Sequence, residues 1–367
     1  MFLSIALCTY NGSLYLQEQL KSIVAQSRLP DELVICDDCS GDDTVKVALD
    51  FAASAPFTVH VIESARNVGV VKNFEKAIVL CRGDIIVLCD QDDVWLPRKL
   101  ALLEAEFVNP NTTIAFSNAD VVGADLRPLG VRLWDCVSLT QDKQKRMQTD
   151  GAFAVLQRDS LVTGAALAFR ATIKPVILPI PNEMRLMVHD GWIATIGAAL
   201  GKVALVDQPL FHYRRHSKQH IGVQPTRSTS PLPSAHLLDS LRPLNALRDR
   251  LLLLEASGTS GPRIPQYIEL LTERIRHIET RIGLAPPKLS QIPTWMKELT
   301  SGRYHQYSNG WRSAVKDLIT VRGYKNSPFI FRLSTVVIKR SAHTNMQSRQ
   351  PDNAHSGEFV RSDAMVN

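Results

Sequence analysis

The stretch Ile85-Ile86-Val87-Leu88-Cys89-Asp90-Gln91-Asp92-Asp93-Val94-Trp95 decides how the rest of the chain is read. Its apolar run is short and β-branched at the start, which suits a buried strand. The run passes directly into carboxylates, which would then sit at the strand's carboxyl end. Several negative charges at one point repel one another unless a cation or cationic ligand joins them. The plain alternative is a solvated acidic turn, and local sequence leaves both open.

Toward the N-terminus the same design repeats. Leu3 to Cys8 is a short apolar strand, and Thr9-Tyr10-Asn11-Gly12 is a turn signal. Residues 14–26 carry apolar side chains at helical spacing. A second strand, Glu32 to Cys36, ends in Asp37-Asp38-Cys39-Ser40. A helix over 45–53, a strand over 57–62, the turn Asn67-Val68-Gly69 and a helix over 71–80 complete the series. This β-α-β-α-β-α-β order with short connections predicts an α/β fold, a mostly parallel sheet flanked by helices. Such sheets bind ligands outside the carboxyl ends of their strands. All four ends here are polar and would converge on one crevice. No G-x-G-x-x-G follows the first strand and no phosphate-binding P-loop is present, so a nucleotide held by carboxylates and a divalent cation, Mg²⁺ or Mn²⁺, is the better reading.

Toward the C-terminus, residues 114–120 read as a further strand and 125–150 as a polar, basic loop or insertion. Thr163 and Gly164 lie in a small-residue apolar stretch, which is either a tightly packed strand or a place where the backbone approaches a ligand. Asp190, between His189 and Gly191-Trp192, is either a helix N-cap or, if buried, a carboxylate suited to take a proton near neutral pH. Arg214, Arg215 and His216 are either an exposed basic loop or partners for phosphate oxygens, with His216 also able to ligate a metal. Lys72 is either a phosphate partner or a solvated lysine on a helix face.

The chain has 367 residues, 45% hydrophobic and 21% charged, an ordinary globular composition with room for one large domain and additions. Residues 1–130 hold 18 acidic and 10 basic residues, and the remainder 18 acidic and 32 basic. Simple solubility is the default explanation of that basic surplus. Anionic lipid is the sharper one, and nucleic acid is not expected as a partner. The N-terminus lacks the basic region of a signal peptide, and the longest apolar candidate, 193–211, is interrupted by Lys202 and Asp207. The cysteines at 8, 36, 39, 81, 89 and 136 match no zinc spacing and read as reduced, mostly buried thiols of a cytoplasmic protein. Residues 223–236 read as a linker or mobile loop, 237–340 as a helical region with an amphipathic helix over 264–282, and 341–367 as a disordered tail.

Four motifs occur together and in order: Leu7-Cys8-Thr9-Tyr10-Asn11-Gly12, Val34-Ile35-Cys36-Asp37-Asp38-Cys39-Ser40, Asn67-Val68-Gly69 with Asn73, and Cys89 to Trp95. In these, residues 1–222 resemble the family 2 glycosyltransferases, whose fold is GT-A (Rossmann-like), with 1–106 as the nucleotide-binding half and 107–222 as the acceptor half. The family usually has Gly where Cys39 stands. The resemblance implies that Thr9, Tyr10, Asn11, Asp37, Asp38, Asn67, Gly69, Lys72, Asp90, Arg214 and Arg215 hold a nucleoside diphosphate sugar. It implies Asp92 and His216 as metal ligands, and Trp95, Thr163, Gly164, His189 and Trp192 on the acceptor side. Inverting members carry an acidic pair whose last Asp deprotonates the acceptor. Here the pair is His189-Asp190, so Asp190 inherits the role of base and His189 would orient the acceptor. Residues 303–311 resemble a bacterial rhamnosyltransferase-like subgroup. That implies dTDP-L-rhamnose as donor, a carbohydrate or lipid-linked oligosaccharide as acceptor, O-antigen or capsule as product, and peripheral contact with the cytoplasmic face of the inner membrane. A sugar-1-phosphate nucleotidyltransferase and a non-catalytic sugar-nucleotide or membrane-surface binding module are the competing readings.

Overall fold

The structure, a computed structural model, describes residues 1–182, 187–217, 233–258, 261–284 and 289–322. The chain forms two compact units, Met1–Ile282 and one beginning at Gly283. In the first, β1 (Leu3–Thr9), α1 (Ser13–Val24), β2 (Glu32–Asp37), α2 (Thr44–Ala52), β3 (Thr58–Glu63), α3 (Val70–Leu80) and β4 (Ile85–Asp90) follow the sequence reading closely. Then come β5 (Val94–Trp95), α4 (Lys99–Glu106), β6 (Thr112–Val122), β7 (Pro128–Arg132), α5 (Leu133–Cys136), α6 (Gln141–Gln148), α7 (Ala152–Leu156), β8 (Leu167–Arg170), α8 (Lys174–Ile177), α9 (His189–Leu200), β9 (Lys202–Arg214), α10 (Pro233–Ala256) and α11 (Ile264–Gly283).

The sheet runs β3-β2-β1-β4-β8-β6-β9-β5, with β7 paired to β6. β1, β2, β3 and β4 are parallel, and β6 and β9 run in the same sense. β8 lies antiparallel between β4 and β6, while β5 and β7 are antiparallel to β9 and β6. The mostly parallel expectation therefore holds for the main strands, in a sheet that is mixed overall. β1 and β2 are buried throughout and β4 as far as Cys89, because helices cover both faces and unbroken apolar runs can be enclosed there. Register does the rest. Thr9 lies opposite Asp37 and Cys8 opposite Asp90, so three polar strand tips end at one level.

Residues 125–150, read as a loop, are instead β7, α5 and α6 with their connections. Amphipathic pieces this short give little periodic signal. β9 also extends beyond the expected 203–206. Pro209 is accommodated where its register with β6 shifts, as a proline inside a sheet requires. The amphipathic pattern of α11 is spent on the core: Ile264, Leu271, Ile275 and Ile278 are buried with Leu244, Leu247 and Leu251 of α10. These two helices thus pack with the first unit, which runs past the expected boundary at 222 to Ile282. The face read as available to a membrane is already covered on α11. Most of the expected linker, and the whole of 341–367, lie outside the described residues.

The unit beginning at Gly283 contains α12 (Ile292–Thr300), α13 (Arg303–Tyr307) and α14 (Trp311–Arg322). Its helices are tied by Trp295 Nε1 donating to the Ala314 carbonyl and Tyr304 Oη donating to Asp317. Among the described residues no helix is long and apolar enough to cross a membrane.

All six cysteines are free; Cys8, Cys36, Cys81 and Cys89 are buried, Cys39 is exposed and Cys136 half-buried. Cys39 adopts φ +65°, the left-handed conformation for which glycine is better suited. That accounts physically for the glycine usual at this point of the motif.

Candidate active site

A cleft of about 720 Å³ opens at the carboxyl ends of β1, β2 and β4. It gathers Thr9, Tyr10, Asn11, Asp38, Asn67, Gly69, Asp90, Asp92, Thr163, Gly164, His189, Asp190 and His216 from the residues expected on sequence. No lysine or arginine lines it among the described residues. Among the described residues, a phosphate-bearing ligand there would meet carboxylates and no side-chain guanidinium or ammonium.

The carboxylates divide into two kinds. Asp37 is fully buried and accepts from the Thr9 hydroxyl (2.7 Å), the Ser40 amide (2.8 Å) and the Ser40 hydroxyl (2.6 Å). It braces the turn behind the cleft and does not line it, which corrects its expected contact with the nucleotide. Asp38 lines the cleft and is held by the amides of Val68 (2.7 Å) and Gly69 (2.9 Å), which fasten the β2 tip to the start of α3. Asp90 and Asp92 reach the cleft from the end of β4. Burial, then the charges of Asp92 and Asp190, push the Asp90 carboxyl up to about 7. Asp93 is buried beneath, and burial with Asp92 and Asp90 pushes it well up.

Gln91, inside the opening motif but read only as a spacer, locks two tips together. Its Oε1 accepts from the Tyr10 amide (2.9 Å) and its Nε2 donates to the Tyr10 carbonyl (3.0 Å). A Cβ at Gly12 would lie 2.0 Å from Gln91 Oε1. Gly12→Ala is therefore expected to swing Gln91 out and break both bonds. The expected loss is about 1–3 kcal/mol of stability in denaturant titration; an unchanged midpoint would show that this clamp contributes nothing.

Asp92 Oδ2 lies 2.7 Å from His216 Nε2, and both are largely shielded. The Tyr15 ring packs tilted against His216, with centroids 4.6 Å apart. A carboxylate oxygen and an imidazole nitrogen, adjacent on the cleft wall, form a fitting partial donor set for a divalent cation whose remaining ligands come from phosphate and water. No third His, Cys, Asp or Glu joins them among the described residues.

The Asp190 carboxylate, which also lines the cleft, sits in the first turn of α9. Val188 is the N-cap, so the capping reading does not describe Asp190. Its Oδ2 accepts from the Gly164 amide (3.0 Å) and its Oδ1 from its neighbour Gly191 (2.6 Å). These bonds aim a half-buried carboxylate that remains open to the cleft. His189 beside it is 5% exposed and stacks on Phe74 with centroids 4.1 Å apart.

Several expected contacts point elsewhere. Trp95 is 2% exposed, its ring against Lys99 Nζ at 4.1 Å. Trp192 is fully buried, its Nε1 donating to the Ile177 carbonyl at 2.8 Å. Both are core residues, because on β5 and α9 their side chains face inward. Lys72 donates to Glu75 (2.8 Å) and the Ile180 carbonyl (2.9 Å), outside the cleft lining. Arg214 lies in β9 and not on a loop. Its guanidinium donates to the Asp92 and Ala124 carbonyls and to Glu18, so it braces the Asp92 segment from behind. Arg215 bonds through its amide to the Val122 carbonyl (2.9 Å) and does not line the cleft. Ser13, Leu14, Tyr15, Asp42 and Tyr213 do line it, contributed by the start of α1, the β2–α2 turn and the end of β9. No motif marks these residues.

A parallel nucleotide-type half, carboxylates at its strand tips and a second carboxylate wall on α9 define a GT-A domain. Residues 4–171 match the model of glycosyl transferase family 2. It is similar to an uncharacterized glycosyltransferase of Nostoc, 27% identical over 218 residues, covering 59% of this chain and 65% of the relative. It is also similar to the dTDP-rhamnosyl transferase RfbG of Shigella flexneri, 25% identical over 233 residues, covering 59% of this chain and 73% of the relative. The chain's matches to the Nostoc protein and to an uncharacterized Mycobacterium bovis protein span 65% and 59% of those relatives' lengths. Among solved structures, S. aureus TarS (residues 1–349) in complex with UDP-GlcNAc aligns with TM-score 0.52 at 15% identity, covering 82% of this chain and 80% of TarS. That likeness is one of fold.

Proposed function

We propose that the chain is an inverting glycosyltransferase that moves a sugar from a nucleoside diphosphate donor to a carbohydrate hydroxyl with the help of a divalent cation. The observation that carries this reading is the cleft itself. Asp38, Asp90, Asp92, His216 and Asp190 all line it, and no lysine or arginine does among the described residues. Asp92 and His216 would hold Mg²⁺ or Mn²⁺ against the diphosphate. A cation bound there would offset the charge that grows on the departing nucleotide. Thr9, Tyr10, Asn11, Asp38, Asn67 and Gly69 shape the nucleoside end. Asp190 takes the proton of the acceptor hydroxyl as its oxygen bonds to the anomeric carbon and the bond to the diphosphate breaks, in one displacement. Thr163 and Gly164 form the acceptor side.

The relationship to RfbG favours dTDP-L-rhamnose as donor and a bacterial surface polysaccharide, such as O-antigen or capsule, as the destination. Action at the cytoplasmic face of the inner membrane, on a lipid-linked acceptor, suits that assignment.

The test is a panel of dTDP-, UDP- and GDP-linked hexoses with Mn²⁺ or Mg²⁺, read by released nucleoside diphosphate. Turnover is expected with one nucleotide class, lost on chelation with EDTA and restored by the cation. Asp92→Asn is expected to reproduce the chelated state. Release unaffected by EDTA would refute the metal assignment, and no binding or release with any donor would refute the transferase reading.

A further inference from the structure

The end of α8 and the residues after it, 176–180, form a segment whose every carbonyl is taken by a side chain from another helix. Arg250 of α10 donates to three of them: Nη1 to Val176 and to Leu178 (3.0 Å), and Nη2 to Pro179 (2.9 Å). Trp192 Nε1 of α9 donates to the Ile177 carbonyl (2.8 Å), and Lys72 Nζ of α3 to that of Ile180 (2.9 Å). Glu75 of α3 accepts from the Ile180 amide (2.6 Å). Ile177 and Ile180 are buried, and enclosed backbone that leaves a helix needs such partners.

Arg250 joins this segment to α9. Its three acceptors are neutral main-chain carbonyls, and its guanidinium also faces the Trp192 ring, 5.3 Å from the centroid. A planar fork reaches several carbonyls at once, which an ammonium on a flexible stem does not. Trp192 is fully buried, and its amide closes the first turn of α9 by donating to the Val188 carbonyl (3.0 Å). Asp190 lies within that turn. The ring that anchors the turn is therefore held on its face by Arg250, and at its N–H by a carbonyl whose neighbours Arg250 grips. α10 itself lies beyond residues 4–171, the part of the chain that matches the family model.

We infer that Arg250 is a positioning residue for the proposed base: by fixing the carbonyls of 176–179 and the Trp192 ring, it sets how α9 presents the Asp190 carboxylate to the cleft. This role rests on the transferase reading above and deepens it, because it makes the C-terminal helix α10 part of the catalytic apparatus. Arg250 does not line the cleft, so its influence passes through Trp192 and the segment it grips. Proton transfer is sensitive to such support, since misplacing a reacting group by about 1 Å costs about 10²-fold in rate. The rival account is that Arg250 serves only the stability of the fold.

A double-mutant cycle separates the two accounts. Transfer is measured with the donor that the wild-type enzyme turns over and with p-nitrophenyl hexopyranosides as acceptors. Arg250→Met keeps the apolar stem and removes the fork. It is expected to lower kcat about 10- to 100-fold, with the donor Kd within about twofold of wild type. In the Asp190→Asn background the same substitution should cost less than about threefold, because the group it aims is gone. Arg250→Lys keeps the charge without the fork and should fall between wild type and Arg250→Met. Arg248→Met removes a charge from the same helix, where Arg248 pairs with its neighbour Asp249, and should leave kcat unchanged. Amide hydrogen exchange gives a readout independent of turnover. Residues 187–196 should exchange faster in Arg250→Met, while residues 3–9 of β1 keep their protection. A folded Arg250→Met with wild-type kcat, a penalty undiminished in Asp190→Asn, or unchanged exchange over 187–196 would overturn the positioning role and leave the transferase reading intact. If Arg250→Met does not fold, Arg250→Lys takes its place in the cycle and in the exchange measurement, and the same results decide. A wild-type enzyme inactive with every donor would overturn both readings.

Discussion

Asp190→Asn is expected to slow glycosyl transfer by orders of magnitude while leaving donor binding intact. The substitution is isosteric and removes the charge, the ability to take a proton and one of the two accepted hydrogen bonds. The carboxylate is positioned from two directions, by the amides of Gly164 and Gly191, and Asn can keep one of these bonds through its carbonyl oxygen. Backbone geometry at the start of α9 should therefore survive. A positioned general base contributes roughly 10²–10⁴-fold, so kcat should fall by about that factor. Donor affinity, set by the β1, β2 and β4 tips across the cleft, should stay within about twofold of wild type. Asp190→Glu tests position as opposed to charge. Its longer side chain cannot keep the Gly164 bond at the same carboxylate position, and an intermediate rate is expected. Transfer by Asp190→Asn within about threefold of wild type, with the donor saturating, would remove Asp190 from the mechanism. Among the described residues, the other carboxylates that line the cleft are Asp38, Asp42, Asp90 and Asp92.

The strand tips could be read from sequence because each follows a buried apolar run. A run such as Ile85–Cys89 has one plausible structure, and its register with β1 then follows from the sheet. What the sequence concealed is direction. Trp95 and Trp192 stand beside real site residues, yet both face the core, since adjacent positions on a strand or helix turn to different sides. Arg214 looked like a loop cation and is instead a buried strut under Asp92, a position created by the unforeseen length of β9. Gln91 was hidden for the opposite reason. Between aspartates it reads as filler, and only the approach of Tyr10 across the β1–β4 pair shows that its amide joins two tips. Lys99, two residues after Pro97, has the sequence signature of a solvated helix start. The fold buries it between the rings of Trp95 and Phe211, with Nζ donating to the Ala165 carbonyl at 2.5 Å.

That burial gives Lys99 a part in the second large effect, a steep loss of stability above pH 9. Cys8, Cys36, Cys81 and Cys89 lie in the core, and burial pushes all four thiols up, Cys36 to about 11 and the others further. In the unfolded chain a thiol ionises near about 8.5. Above that pH the unfolded state releases protons that the folded state keeps, so stability falls as pH rises. Each such group contributes about 1.4 kcal/mol per pH unit. Lys99 acts in the opposite sense. Burial pushes it down to about 7, so between pH 7 and about 10.4 the unfolded state binds a proton that the folded state lacks. Its contribution rises with pH and offsets one thiol. The net slope is that of about three protons, or roughly 6 kcal/mol lost between pH 9 and 10.5. Natural domains hold only about 5–15 kcal/mol, so urea midpoints should drop sharply over that interval while remaining level or rising slightly from about pH 7.5 to 8. Replacing Cys36 and Cys89 with alanine lowers stability at every pH by leaving cavities, but it should remove about half of the thiol slope. Lys99→Met should steepen the decline by about one proton. A stability flat from pH 8.5 to 10.5, or a slope untouched by the cysteine replacements, would show that these thiols ionise as readily in the folded protein as in the unfolded chain.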